Sequence, residues 1–120
     1  MLVRFRHALF GLGVALRHRG LLYHVVFAVF VVALGFLICL DRMSWALVAL
    51  AIGFVFSTET VNTALEQLGD AVSPHQRPGI RRAKDVSAAA VLIAAGSSVV
   101  LGLIVFLPPL ITGTAGRCIF

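Results

Sequence analysis

Three long stretches of this 120-residue chain contain no Asp, Glu, Lys or Arg, and they constrain the fold more than any other feature. They are residues 21–40, 44–56 and 86–111. A helix of about 20 apolar residues spans the ~30 Å hydrocarbon core of a bilayer. Only 12% of the residues are charged, whereas a soluble domain has about 25%. The sequence therefore predicts an all-α integral membrane protein with three transmembrane helices, at about 21–40, 44–66 and 86–107.

These spans leave no room for a separate soluble domain, so residues 1–120 are predicted to form one membrane domain. Basic residues near the ends of spans favour the cytoplasmic side of a membrane. Of the ten Lys and Arg residues, all but Arg42 and Arg117 precede the first span or lie in a predicted loop at about 71–85. The N-terminus and this loop are therefore predicted to be cytoplasmic, and the C-terminus to lie outside. Anionic lipid headgroups account for the net charge of +5, so no nucleic-acid partner is predicted.

Residues 2–19 are predicted to form a basic amphipathic helix on the cytoplasmic surface. Gly20 is predicted to break the chain before the first span. A signal peptide is disfavoured because Arg17 and Arg19 follow the apolar part and no small-residue cleavage site is evident. Apolar residues recur at steps of three and four, as on one face of a helix; they are Phe5, Leu9, Leu12 and Leu16.

The two cysteines, Cys39 and Cys118, are far apart in the sequence. Two cysteines are too few to indicate a disulfide framework or a metal site. We therefore expect neither, and interpret both as ordinary cysteines of a membrane protein.

The second span ends in a polar cluster that contains three of the five acidic residues in the chain. At about 100° per residue, Glu59, Asn62, Thr63, Glu66 and Asp70 fall on one stripe of a helix. A lone carboxylate in hydrocarbon would cost several kcal/mol or would become protonated. A row of carboxylates is less costly if it lines a protein interface and binds a cation. Magnesium suits such a row, because it takes oxygen ligands and keeps waters that phosphates can replace.

Charged residues at positions 81–85 open the third span at the same cytoplasmic level as Glu66 and Asp70. In phosphoryl transfer, a metal and a lysine neutralise the triphosphate while a carboxylate accepts the proton of the attacking hydroxyl. Lys84 and the carboxylate row together supply these groups. The sequence has no Gly-rich phosphate-binding loop, so a nucleotide site would be built from helix faces and the short loop.

The motif Glu59-x-x-Asn62-Thr63-Ala64-Leu65-Glu66-x-x-x-Asp70, followed by Ala83-Lys84-Asp85 and Ala89-Ala90-Val91-Leu92, resembles the small prokaryotic diacylglycerol kinase family, which includes undecaprenol kinases. The resemblance covers about residues 5–110. It implies three transmembrane helices, a surface helix and a homotrimer with shared active sites, in the cytoplasmic membrane of a bacterium. It also implies transfer of the ATP γ-phosphoryl group to a lipid alcohol, either undecaprenol or diacylglycerol. The ending at 102–108 is more similar to the undecaprenol kinase branch.

The resemblance also implies roles for individual residues. Glu59 would be the general base, and Glu66 would bind magnesium with Asn62 beside it. Lys84 and Asp85 would contact the nucleotide, with Asp70 nearby. Two loop residues, His75 and Arg77, are further candidates for nucleotide contact, although a solvated loop with Pro and Gly residues is an equal interpretation.

One feature departs from the family pattern. The family has a further metal-binding Glu just before the first span, whereas the first acidic residue here is Asp41, on the far side of that span. His18 could stand in its place, but imidazole suits magnesium poorly. The leading expectation is a Mg-ATP-dependent lipid kinase of phospholipid or cell-envelope lipid metabolism.

Two alternatives from other classes stay open at this point. The first is a non-catalytic trimeric membrane protein descended from the family, which the missing Glu favours. The second is a small channel or transport oligomer, although a pore would not need Asn62 paired with Lys84-Asp85. The polar stripe could also serve only to hold helices together through hydrogen bonds between them.

Overall fold

The computed structural model describes residues 1–75 and 77–113, so Arg117 and Cys118 lie outside the described residues. The described chain forms four α-helices: α1 is Leu2–Ala15, α2 is Arg19–Leu37, α3 is Arg42–Val72 and α4 is Pro78–Ile111. No strand occurs in these two ranges. Helices α2, α3 and α4 are long and apolar enough to cross a membrane. The predicted all-α class with three candidate spans and a preceding helix is confirmed.

Helices α3 and α4 extend well beyond the apolar parts that predict them. The connection between them is only residues 73–77, shorter than the loop predicted at 71–85. Pro78 begins α4 because its fixed φ suits the first helical position and its missing N–H is not needed there. Lys84 and Asp85 therefore lie on a regular helix, whose register fixes the direction of their side chains.

Helix α3 begins at a well-formed cap. The Ser44 backbone N–H donates a 2.6 Å hydrogen bond to the Asp41 carboxylate, which satisfies one of the unpaired N–H groups of the first turn. This hydrogen bond lowers the pKa of the Asp41 carboxyl below its ordinary value of 3.8. Nearby, the Phe36 and Trp45 rings lie 4.7 Å apart, centroid to centroid, and join the ends of α2 and α3.

The break between α1 and α2 lies before the position that the sequence predicts. Helix α1 ends at Ala15, and His18 is the extended residue that precedes α2. Gly20 lies inside the first turn of α2, so its prediction as the break is wrong. A turn forms instead at residues 16–18, because the Arg17 and His18 N–H groups bond back to the carbonyls of Val14 and Ala15.

Helix α3 is the central element of the fold. It packs along α4 and, over a shorter distance, against α2 and α1. The core is small: Leu21 and Ala94 are fully buried, whereas most apolar side chains of the spans are exposed. Phe5 and Leu9 of α1 are exposed as well. Apolar surface of this extent is expected to meet lipid or other copies of the chain.

Cys39 has a positive φ of 57° at the end of α2 and is disulfide-bonded. The expectation that neither cysteine takes part in a disulfide is therefore wrong for Cys39. The part of that expectation that concerns Cys118 falls outside the described residues.

Candidate active site between the end of α3 and the start of α4

Glu59 is the deepest acidic side chain of the polar stripe on α3. It is only 7% exposed. Within the described part of the chain, its carboxylate has no hydrogen bond and no ion pair. Its Oε1 atom lies against the backbone of Gly20 on α2, so close that a Cβ atom added at Gly20 would be 1.9 Å from Oε1. The carboxylate is therefore sterically confined, and its oxygens accept no hydrogen bond from the described residues.

A hydrogen-bonded cluster lies about one turn further toward the end of α3. The Ser87 hydroxyl on α4 is 2.7 Å from the Asn62 Oδ1 atom and donates to it. The Asn62 amide group, through Nδ2, donates in turn to Glu66 Oε1 at 3.3 Å. Asn62 and Ser87 are both buried. One amide thus connects α4 to Glu66 and fixes the orientation of that carboxylate.

The outermost part of the stripe carries an ion pair. Lys84 Nζ lies 2.5 Å from Asp70 Oδ1, between a partly exposed lysine and an aspartate that is 72% exposed. The lysine stem crosses Gly69, where an added Cβ atom would lie 2.9 Å from Lys84 Cε. The absence of a side chain at Gly69 thus lets the stem reach Asp70. An exposed ion pair stabilises a fold only slightly, so its main consequence is to place the ammonium.

The predicted stripe is thus present and graded in depth. Glu59, Asn62 and Thr63 are buried, Glu66 is half-buried and Asp70 is exposed. At about 1.5 Å per residue, Glu59 lies ~16 Å below Asp70 along the helix. Charge at the exposed end and a free carboxylate at the buried end suit a reaction between a water-soluble substrate and a membrane-embedded one.

Three predicted site residues lie on the exposed surface, apart from the hydrogen-bonded cluster and the ion pair. Asp85 is exposed on α4 and has no hydrogen bond or ion pair to another residue of the described ranges. His75 and Arg77 are exposed in the connection. The Ser73 hydroxyl donates a short hydrogen bond to the His75 carbonyl, within the connection itself. The contact of Asp85, His75 and Arg77 with nucleotide stays a prediction.

Two histidines of α2 and its cap have distinct surroundings. His18 Nε2 lies 3.3 Å from the Gln67 side-chain nitrogen on α3, which ties the start of α2 to the residue after Glu66. His24 lies at an apolar cavity of about 490 Å³ between α2, α3 and α4. The cavity is lined almost wholly by aliphatic and aromatic side chains, with Ser98 as its second polar residue.

The oxygen groups fit magnesium in part. Across residues 1–75 and 77–113, no cluster of three or more His, Cys, Asp or Glu side chains could hold a metal ion. Glu66 offers one carboxylate, with the Asn62 amide beside it. Magnesium is usually bound by one or two carboxylates together with waters and substrate phosphates. The site is therefore compatible with a metal that arrives on a nucleotide, but not with a protein-only cage.

Three residues of this arrangement carry no chemical signal in the motif. Gly20 and Gly69 contribute by having no side chain, and Ser87 is an isolated hydroxyl in an apolar helix. Only the spacing could have pointed to Ser87: it lies three residues after Lys84 and so shares the same face of a helix. Nothing in the pattern of α2 indicates that Gly20 meets Glu59, since that contact joins two different helices.

The family profile described as prokaryotic diacylglycerol kinase matches residues 6–106. The chain is 38% identical over 92 residues to the undecaprenol kinase of Bacillus subtilis, a match that covers 77% of this chain and 75% of that protein. It is 36% identical over 116 residues to the diacylglycerol kinase of a Synechocystis species, covering 93% of this chain and 65% of that protein. No solved structure matches the chain. The chain belongs to the prokaryotic diacylglycerol kinase family.

Proposed function

We propose that this chain is a bacterial membrane kinase that transfers the γ-phosphoryl group of ATP to a lipid alcohol. The observation that carries the proposal is Glu59, a buried carboxylate without a described partner. It lies at the buried end of a polar stripe whose exposed end, Asp70, pairs with Lys84 of α4. Membership of the family supports the reaction class. The two relatives are named for an undecaprenol substrate and a diacylglycerol substrate.

In the proposed reaction, Glu59 Oε accepts the proton of the lipid hydroxyl. The hydroxyl oxygen then bonds to the γ-phosphorus, the bond from the γ-phosphorus to the bridging oxygen breaks, and ADP leaves. Phosphoryl transfer depends on positioning and on electrostatic stabilisation more than on covalent catalysis by the protein. Glu59 is buried ~16 Å along α3 from the exposed Asp70. A lipid hydroxyl can therefore reach this base while the lipid stays in the bilayer.

The outer part of the stripe would hold the nucleotide. Lys84 supplies a positive charge at the start of α4, and Asp70 holds it in place before phosphate arrives. Glu66 would be the magnesium ligand, oriented by Asn62. When bound, magnesium would neutralise phosphate charge. Asp85, His75 and Arg77 complete the proposed nucleotide contacts from the exposed surface.

We further propose a homotrimer in which neighbouring copies complete the site. Only 11–17% of the most apolar part of each span is buried within one copy, so much apolar helix surface is available for packing between subunits. The proposed orientation places the N-terminus and the α3–α4 connection in the cytoplasm, because the basic residues concentrate there. ATP would then reach Lys84 from the cytoplasmic side.

The absence of an acidic residue before α2 favours one second candidate. In that alternative the protein keeps the fold and assembly of the family but transfers no phosphoryl group. The sequence between Met1 and Leu40 contains no Asp or Glu, so the site has fewer carboxylates than the resemblance leads one to expect.

The test is a phosphoryl-transfer assay on purified protein in lipid–detergent micelles with labelled ATP. Undecaprenol and diacylglycerol are supplied in parallel, over a range of magnesium concentrations. We expect a phosphorylated lipid with at least one of them, at a rate that Glu59→Gln lowers by about 10²–10⁴. A folded wild-type protein that phosphorylates neither lipid at any magnesium concentration would overturn the kinase proposal and favour the non-catalytic alternative.

A further inference from the structure

We propose that Gly20 is a positioning residue for Glu59: its missing side chain forms the space that the Glu59 carboxylate occupies. This inference rests on the proposed role of Glu59 as the general base. Gly20 lies in the first turn of α2, whereas Glu59 lies on α3. The contact therefore couples the transmembrane helix that follows the surface helix to the reacting group.

With the Glu59 carboxylate in its present position, Gly20 has no room for a side chain. A Cβ atom at Gly20 would lie 1.9 Å from Glu59 Oε1 and 3.1 Å from Glu59 Cδ. By contrast, Gly11, Gly13 and Gly53 have no atom within 4 Å of the same added carbon. Gly20 is thus not simply one of many small residues, because the functional end of Glu59 fills its empty space.

Helix α2 has little freedom to move away from a clash at Gly20. The next residue, Leu21, is fully buried, and His18 Nε2 lies 3.3 Å from the Gln67 side-chain nitrogen of α3. A shift of α2 would open a cavity around Leu21 and separate His18 from Gln67. An added methyl group at Gly20 would therefore be accommodated by rotation of the Glu59 side chain, which moves the carboxylate.

Displacement of a catalytic group by about 1 Å can lower a rate by ~10²-fold. We therefore expect Gly20→Ala to lower kcat by about that factor. The KM for Mg-ATP should stay within about twofold, because Asp70, the ion-pair partner of Lys84, lies ~16 Å from Glu59 along α3 at 1.5 Å per residue. Gly53→Ala is the matched control on α3: it adds the same methyl group where nothing lies within 4 Å, and it should leave both constants unchanged.

A double-mutant cycle separates positioning from a merely structural effect. If Gly20 acts through Glu59, then Gly20→Ala should cause no further loss of kcat in a Glu59→Gln background. Independent losses that multiply in the double variant would overturn the proposal. So would a Gly20→Ala protein with wild-type kcat, or one in which only the KM for Mg-ATP rises. If Glu59→Gln itself keeps full activity, the proposed base is wrong, which is a different failure.

A second variant covers the case in which Gly20→Ala does not fold. Glu59→Asp shortens the side chain by one methylene and withdraws the carboxylate from the space at Gly20. The double variant Gly20→Ala/Glu59→Asp should then recover the elution volume and thermal stability of Glu59→Asp alone. Failure of the shorter side chain to recover folding would overturn the proposed contact, because the clash must then involve something other than the carboxylate.

Discussion

Lys84 Nζ lies 2.5 Å from Asp70 Oδ1, and this ion pair joins the start of α4 to the end of α3. The lysine reaches its partner across Gly69, whose missing side chain leaves space for the Lys84 stem. Because the aspartate is largely exposed, solvent screens the pair and it adds little to stability. Its value to the proposed kinase is that it holds an ammonium group at the surface where a triphosphate would bind.

The first prediction concerns the base. Glu59→Gln keeps the size of the side chain and removes its capacity to accept a proton. Loss of a general base typically costs about 10²–10⁴ in rate, so kcat for lipid phosphorylation should fall by this range. The measurement is labelled phosphate transfer at saturating Mg-ATP, with elution volume as the check on folding. A variant within a few-fold of the parent would contradict the assignment.

The second prediction concerns placement of the lysine. Gly69→Ala should push the Lys84 stem aside, because the added Cβ would lie 2.9 Å from Lys84 Cε. We expect a several-fold rise in the KM for Mg-ATP, and a larger rise for Lys84→Ala, which removes the charge altogether. Gly53→Ala is the control for the added methyl group. Equal KM values for Gly69→Ala and Gly53→Ala would show that Gly69 has no part in placing Lys84.

The third prediction tests the bridge between Ser87 and Asn62. Ser87→Ala removes the donor to Asn62 Oδ1 and leaves a buried acceptor unpaired, which costs about 1–3 kcal/mol. The free energy of unfolding in detergent should fall by this amount. The magnesium concentration for half-maximal activity should rise, because Asn62 orients Glu66. Ser98→Ala is the matched control, since the Ser98 hydroxyl bonds only backbone carbonyls. A similar effect of both substitutions would argue against a specific role for Ser87.

The fourth prediction concerns the acidic residue that the family pattern leads one to expect. His18 lies beside Gln67, the residue after Glu66, and His18→Glu tests whether a carboxylate at this position reaches the proposed metal ligand. We expect the magnesium concentration for half-maximal activity to fall several-fold. His18→Gln, which adds no charge, should leave it unchanged. An unchanged requirement in the Glu variant would mean that this position does not reach the metal.

The fifth prediction concerns pH and the opposite end of α3. The pKa of Asp41 is lowered in the folded protein by its hydrogen bond from the Ser44 N–H. Its contribution to stability is therefore present above the ordinary pKa of 3.8 and is lost as the pH falls through the lowered folded value. Thermal unfolding should show Asp41→Ala less stable than the parent at pH 7 and similar to it near the folded pKa.

Asp41→Asn provides the control for this experiment. Asparagine caps helices about as well as aspartate but does not titrate in this range. It should therefore keep most of the stability at pH 7 without the acid-dependent loss. A difference between Asp41→Ala and the parent that does not change with pH would contradict the assignment to the carboxylate.

The sequence by itself determined the features that depend on local composition and period. Charge-free stretches of sufficient length predict the three spanning helices, and the structure places α2, α3 and α4 there. The 3.6-residue period places Glu59, Asn62 and Glu66 on one stripe, which the described helix confirms. The limits of the helices were less predictable: Gly20 looked like a break, and the loop predicted at 71–85 is only residues 73–77. Composition does not indicate where backbone hydrogen bonds stop.

Only the tertiary structure decided which side chains meet across helices. Gly20 faces Glu59 because α2 packs against α3 there, and Ser87 reaches Asn62 because α4 packs along α3. Such contacts depend on the rotation and spacing of two helices, which no period within one helix specifies. The sequence therefore supplied the chemical groups and their helix faces, while packing decided that one carboxylate would be held without a described partner and that one lysine would be paired.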